Sequence, residues 1–406
     1  MKAYERLLKY VVVQTQSDDN TGTVPSTTCQ FDLTHLLVEE MKALGITDAH
    51  VDEHCYVYGH IPATPGYEAS KKLGFIAHMD TSPDFTAVNV TPIITENYNG
   101  EALALGTSGK FLSPNTFPHL TALKGRTLIT TDGTTLLGAD DKAGIAEILT
   151  VAEQLINSDI PHGQVSISFT PDEEIGSGAA DFNFDTFDAD YAYTLDGSVE
   201  GEIQYENFTA SRADITVNGF NVHPGTSKNT MVNASLLTME INSMLPNFET
   251  PSHTEGYEGF YHLTSMSGGV EHAELHYIIR DFDEDLLQAR KNTLVLIEKL
   301  MNEKYGADTV SLEIADQYKN MRGTIESMDC LHLVENAQKA CNAVGLTPIV
   351  EPIRGGTDGA QLTYRGLPCP NLGTGGFSFH GPYEHITVEG MDSVTNMVIE
   401  LIKLYA

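Results

Sequence analysis

Histidines and carboxylates stand at the ends of apolar, strand-like runs throughout this chain. His78 and Asp80 follow LGFIA, Asp140 and Asp141 follow TTLLGA and precede a helical pattern, Glu173 and Glu174 follow VSISFTPD, Asp196 follows YAYTL, and His380 sits in NLGTGGFSFHG. Taken singly, each has an ordinary explanation. A strand-end histidine is usually a hydrogen-bonded structural residue, an Asp before a helix is usually its N-cap, which suits Asp141, and adjacent glutamates are usually solvated. As a set they say more, because ligands bind at strand ends in open α/β sheets. Several carboxylates converging on one edge repel one another, and divalent cations are the natural compensation. Imidazole mixed with carboxylate, without thiolate, suits zinc, cobalt or manganese. Two metals about 3.5–4 Å apart can share one carboxylate. Five ligands with one bridging leave each metal three protein groups and a place for water.

The stretch LGFIAHMDTSPD also carries a competing signal, since Asp80-Thr81-Ser82 looks like half of an aspartic protease centre. That chemistry needs a second equivalent Asp loop in an all-β scaffold. The elements around it deny this. KKLGFIAHMD is strand-like, DKAGIAEILTVAEQLINS has apolar residues at helical spacing, and GQVSISFTPDEE and YAYTLDG are strands again. This βαβ rhythm predicts an α/β sheet covered by helices on both faces.

From about residue 208 the texture changes. FTASRADITVNGF alternates like a strand and VNASLLTMEINSML like a helix. YHLTSMSGG and VEHAELHYIIRDF form a hairpin turning at Gly268–Gly269. EDLLQARKNTLVLIEKLMNEKYG is a long helix and DTVSLEIADQY a last strand. The order βαββαβ is ferredoxin-like. DCLHLVENAQKACNAVG and TPIVEPI then resume the first pattern. We therefore expect a discontinuous α/β domain, residues 1–207 and 317–406, interrupted by an inserted domain, residues 208–316.

Bulk properties narrow the function classes. The chain has 406 residues, 41% hydrophobic and 19% charged, with a net charge of -33. Such an excess repels phosphate backbones and anionic membranes, so nucleic acid is not an expected partner. No run of 18 apolar residues occurs, so no membrane span is expected. MKAYERLLKYVVVQTQ reads as an amphipathic first helix rather than a signal peptide. Five cysteines, with no C-x-x-C pair, fit a reducing cytoplasm.

The motifs His78-Met79-Asp80, GADDKAGIAEI, FTPDEEIGSGA, TLDG, NVHPGTSKN and IRGGTDGAQLTYRGLPCPNLGTGGFSFHG resemble those of the peptidase T family, tripeptide aminopeptidases among the co-catalytic dizinc exopeptidases. The resemblance covers essentially the whole chain, motif order included. It implies a mixed-sheet catalytic domain with the insert as a lid. It implies two zinc ions, with cobalt or manganese as alternatives. His78, Asp140 and Asp196 would hold one ion, and Asp140, Glu174 and His380 the other, Asp140 bridging. Glu173 would be the general base for the attacking water. Asp80 would accept the second ring N–H of His78. A cis peptide is implied between Asp140 and Asp141.

The insert should contact substrate. By the resemblance His223 would stabilise the oxyanion of the tetrahedral intermediate; alone it would read as a polar loop histidine. Arg280 in HYIIRDFD could clamp a peptide carboxylate bidentately, or pair with Asp281 or Asp283. Arg354 in IRGGTDG is a second candidate clamp, and Asn229 a hydrogen-bonding one. His385 stands where this family is expected to carry an aromatic residue and reads as structural.

The expected activity is release of the N-terminal residue from tripeptides, with the insert closing over the substrate. A homodimer paired through the insert is compatible with it. A dipeptidase or an N-acyl-amino-acid deacylase would keep the same metals and base. A metal-binding protein without catalysis would have no use for Glu173 beside Glu174.

Overall fold

A computed structural model describes all 406 residues, which form two compact units. The first comprises Met1–Tyr205, Thr324–Glu351 and Thr357–Ala406; the second comprises Glu206–Gly323 and Pro352–Gly356. The second unit is longer than the insert expected from sequence. Its last strand, Val310–Tyr318, runs past residue 316, and the short segment around Arg354 also belongs to it.

The first unit is built on an eight-stranded mixed sheet. Its strands lie in the order His50–Val51, Val57–Ile61, Val165–Thr170, Leu73–His78, Tyr191–Gly197, Asn371–Gly373, Glu202–Gln204, Ile349–Val350. Leu73–His78 runs parallel to both its neighbours. It and Val165–Thr170 are buried at every position, as strands covered on both faces must be. The register sets His78 opposite Thr170, and Ile76 opposite Thr194. Two residues further on, His78 and Asp196 therefore finish side by side on the C-terminal edge. A smaller antiparallel sheet, in the order Gly376–Phe377, His385–Thr387, Leu128–Thr131, Pro92–Thr95, anchors the segments that lead to Asp140 and His380.

The helix Ala139–Ile156 is buried around most of its circumference, which matches its richness in Ala, Ile and Leu. Regular helical geometry starts only after Asp140 and Asp141, whose dihedral angles are non-helical, and the Asp140–Asp141 peptide is cis, as the resemblance implies. The Asp141 carboxylate accepts the Gly144 N–H at 3.2 Å, so it caps the first turn as its sequence position predicts. The amphipathic first helix is present at Ala3–Tyr10 with Ala3, Leu7 and Tyr10 buried. All five cysteines are free. No helix is long and apolar enough to cross a membrane.

The second unit has the βαββαβ order read from sequence. Its strands Thr209–Asn218, Phe260–Gly268, His272–Asp281 and Val310–Tyr318 pair antiparallel, with Thr209–Asn218 and His272–Asp281 in the middle. The hairpin turns at Gly268–Gly269, where Gly268 takes a φ of +141°. Ile215, Val217, Leu275, Tyr277 and Ile279 of the sheet pack with Leu237 and Ile241 of one helix, Ala234–Ser243, and Leu294, Ile297 and Met301 of the other, Glu284–Tyr305.

One contact ties the first unit's long helix to the strand carrying Asp196. A Cβ on Gly144 would lie 2.1 Å from the Leu195 carbonyl oxygen, a main-chain atom that cannot swing away. We expect Gly144→Ala to lower unfolding free energy by about 1–3 kcal/mol through this overpacking. Urea denaturation checks this, and an unchanged midpoint would contradict it.

Candidate metal centre

The strand-end residues converge. His78 Nε2 lies 2.9 Å from Asp140 Oδ1 and 3.4 Å from Asp196 Oδ1. His380 Nε2 lies 2.9 Å from Glu174 Oε2 and 3.4 Å from Asp140 Oδ2. The two oxygens of Asp140 thus face different histidines. Ligand atoms of His78, Asp140 and Glu174 fall within 4.8 Å of one another, and so do those of His78, Asp141 and Asp196. Asp141 is the weaker candidate of the two aspartates. Its oxygens already accept the His78 and Gly144 N–H groups at 3.2 Å each. Glu174 Oε1 is buried without a hydrogen-bond partner, an orphan acceptor facing no donor of the chain. Two imidazole nitrogens among carboxylate oxygens, with no thiolate, form a donor set that fits divalent cations of the zinc, cobalt or manganese kind.

The groups behind this shell are oriented mainly through backbone donors. His78 Nδ1 meets the Asp80 main-chain oxygen at 3.1 Å and its carboxylate at 3.3 Å. The Asp80 carboxylate itself accepts the N–H groups of Glu173 and Glu174, at 3.0 and 3.2 Å. Asp80 therefore links the first histidine to both glutamates. Glu173–Ile175 is a 3₁₀ turn rather than extended chain, and it is this turn that separates the two side chains. Asp172, at φ +56°, enters the turn with its carboxylate held by the Ser26 N–H, the Ser26 hydroxyl and the Gln30 amide. Asp84 lies 3.1 Å from His380 Nδ1, doing for the second histidine what Asp80 does for the first. Neither Asp84 nor Asp172 was singled out from sequence, although Asp84 is only two residues beyond the quoted Ser82. His385 is fully buried, stacked on Phe377 and His119, which makes it structural.

Electrostatics follow from this crowding. Burial raises the carboxyls of Glu173, Asp141 and Asp196, with neighbouring carboxylates adding to it. Burial and the charge of Asp140 lift Glu174 to about 7. Hydrogen bonds to Asp140 and Glu174 lift His380 to about 11. Burial opposes a charge on His78, but Asp196, Asp140 and Asp80 outweigh it and hold the imidazolium well above its ordinary range. Without cations, protons on the two histidines are what balances the carboxylates.

The remaining candidates from sequence lie in the second unit. His223 is exposed, and its Nδ1 accepts the Gly225 N–H at 3.1 Å, which leaves Nε2 as the donor. Asn229 is exposed with φ +61°. Arg280 is 9% exposed. It donates to the Ser211 and Ile279 carbonyls and stacks on Tyr318. Asp281 pairs with Arg290 and Asp283 caps a helix, so neither neutralises Arg280. Arg354 is different. Its guanidinium donates to the carbonyls of Gly256, Glu258 and Thr254 and to the Thr254 hydroxyl, over the rings of Phe208 and Phe260.

A pH prediction follows. Glu174 ordinarily titrates near 4.5 and His380 near 6.5, and the folded chain holds both protons more tightly than the unfolded chain does. Cation-free stability therefore falls as pH rises, first through Glu174 and then through the histidine. Bound cations would displace these protons. The gap in Tm between cation-loaded and chelated protein is expected to be wider at about pH 8 than at about pH 5.5. Calorimetry at both values checks this, and a constant or narrowing gap would contradict it.

Comparison with known proteins agrees with this geometry. Residues 131–404 match the model of peptidase family M20/M25/M40. A peptidase T from Halothermothrix orenii is 52% identical over 407 aligned positions, covering 100% of this chain and 99% of that protein. A peptidase T from Geobacillus kaustophilus is 51% identical, covering 99% and 97%. Among solved structures, an aminopeptidase PepT from Bacillus cereus superposes with a TM-score of 0.77 at 22% identity, over 99% of this chain and 97% of that one. A tripeptidase from Staphylococcus aureus gives 0.76 at 24%, over 99% and 98%. A Bacillus subtilis protein described as a dinuclear metal-binding M20 peptidase gives 0.65 at 16%, over 99% and 98%. With its strand-end histidines and carboxylates gathered in one place and full-length relatives at half identity, the chain belongs to peptidase family M20/M25/M40 and, within it, to the peptidase T family.

Proposed function

We propose that this chain releases the N-terminal residue from tripeptides, using two divalent cations held by His78, Asp140 and Asp196 on one side and by Asp140, Glu174 and His380 on the other. The observation that carries this is Asp140, whose Oδ1 faces His78 while Oδ2 faces His380. The relatives' names, peptidase T and tripeptidase, supply the substrate class. Zinc is the favoured ion, with cobalt or manganese as substitutes. When bound, the cations would polarise the scissile carbonyl and make the attacking water acidic enough to ionise near neutral pH.

The chain's own groups do the rest. Glu173 is not spent on a histidine as Glu174 is, and its carboxyl is raised by burial. That makes it a base able to take the water's proton and then release it to the departing amine. Asp80 fixes the backbone of Glu173 and Glu174 together, so base and ligand move as one piece. His223, with Nε2–H free to donate, is assigned to the oxyanion, and Asn229 to a further substrate hydrogen bond. Arg280 is assigned to the substrate's C-terminal carboxylate. A nearly buried guanidinium without a carboxylate partner is poised for one, whereas the donors of Arg354 serve four oxygens of its own unit.

Three results are expected. Glu173→Gln lowers kcat by about 100- to 10,000-fold while cation stoichiometry stays at the wild-type value; near-normal turnover would remove Glu173 as base. Arg280→Ala raises KM for free tripeptides by roughly 10-fold or more and leaves C-terminally amidated ones little changed; equal effects on both would remove the clamp. A panel of tripeptide, dipeptide, tetrapeptide and N-acetylated tripeptide, run cation-loaded and chelated, tests the substrate class. Cation-dependent release from the tripeptide alone is expected, and preference for dipeptide or acetylated substrate would overturn the tripeptide assignment.

A further inference from the structure

Four residues past His380 lies a carboxylate that no step above employs. Glu384 is 1% exposed. Its Oε2 accepts the N–H groups of Leu137 and Gly138 at 2.7 and 2.9 Å, and its Oε1 accepts that of Asp140 at 3.0 Å. These donors have no backbone acceptor of their own. Gly138, at φ +78° and ψ +26°, turns the chain so that neighbouring N–H groups face inward. Backbone turned this way forms a concavity suited to an anion, and here the anion is a side chain of the same protein. No side-chain cation forms an ion pair with Glu384; the buried Lys142 acts on it only through space, and the three amides are its direct partners. The other end of the strut is equally fixed. The Glu384 N–H donates to the Gly381 carbonyl at 3.2 Å, closing the turn that begins beside His380. The next residue opens the strand His385–Thr387, which pairs with Leu128–Thr131.

We propose that Glu384 is a positioning residue for the cation pair: it holds the 137–140 backbone from the His380 turn and so sets the Asp140 carboxylate between the two histidines. This rests on the reading of Asp140 as a bridge and adds a residue whose contact is with that bridge's backbone, not with cation or substrate. Geometry makes the role sharp. Three converging donors need two anionic oxygens. An isosteric amide offers one oxygen and turns an NH2 group against N–H donors, which repels the segment it should hold.

Titration of Co2+ alone into metal-free protein, followed by visible absorption, tests this in wild type, Glu384→Gln and Glu384→Asp. Wild type should take up two ions. Glu384→Gln should bind one of them about 10- to 100-fold more weakly, with an altered visible spectrum. Glu384→Asp, which keeps the charge but reaches less far, should fall between. Two ions in wild type, with Glu384→Gln unchanged in both affinities and spectrum, would overturn this inference alone. No uptake by wild type would overturn the bridging reading and this inference with it. Should the variants fail to fold, amide hydrogen exchange on wild type decides: slow exchange at Leu137, Gly138 and Asp140 supports the strut, and fast exchange there overturns it.

Discussion

Negative charge packed where the sheet ends is the constraint on which this molecule depends. Asp140, Glu173, Glu174 and Asp196 meet at the C-terminal edge of the parallel strands Leu73–His78, Val165–Thr170 and Tyr191–Gly197. Asp358 stands close by, with Oδ2 on the Thr170 hydroxyl and Oδ1 buried without a partner. Water screens such largely buried groups poorly, so their repulsion is answered by protons on the histidines or by cations. Three further carboxylates beside the centre are held by backbone amides. Asp80 takes the N–H groups of Glu173 and Glu174, Asp141 those of His78 and Gly144, and Glu384 those of Leu137, Gly138 and Asp140. Backbone amides thus convert a surplus of acids into a scaffold. The four acids of the centre, Asp140, Glu173, Glu174 and Asp196, carry no such amide.

The two candidate arginines of the second unit show how the same side chain takes opposite roles. Arg354 gives its donors to four oxygens from Thr254 to Glu258 and lies on two aromatic rings, so its task is to fasten that loop. Arg280 is the more buried of the two, yet its hydrogen bonds go to neutral carbonyls and its ring contact is with Tyr318. Burial without a counter-ion is unfavourable for a guanidinium, and burial lowers its pKa accordingly. An anion arriving from outside relieves that condition. Residue type and local motif made the two look equivalent; their partners separate them.

What the sequence revealed was whatever periodicity and residue type encode. All-buried strands read as unbroken apolar runs, the helix Ala139–Ile156 as apolar residues at helical spacing, and the hairpin as two glycines between alternating segments. That acids and histidines would gather was foreseeable because they stand at predicted strand ends; that His78, Asp140, Glu174, Asp196 and His380 are the ligands among them was implied only by the family resemblance. Backbone-mediated links were not foreseeable. A carboxylate that accepts N–H groups from residues 93 or 244 positions away leaves no pattern, since every residue but proline offers the same donor. Hence Asp80 was expected to serve His78 alone, and Asp84, Asp172 and Glu384 went unseen. The turn at Glu173-Glu174 was equally hidden, since it depends on Asp172 taking the left-handed region and bending the chain into a 3₁₀ turn. Likewise nothing in IRGGTDG announces that Pro352–Gly356 joins the second unit through the contacts of Arg354.

Anomalous X-ray diffraction from crystals grown with Zn2+, collected at the zinc edge, tests whether Asp140 holds two cations at once. A bridging Asp140 requires two peaks about 3.5–4 Å apart, one beside His78 and Asp196, the other beside His380 and Glu174, with Asp140 joining them. A single peak, or two peaks that Asp140 does not join, would contradict it.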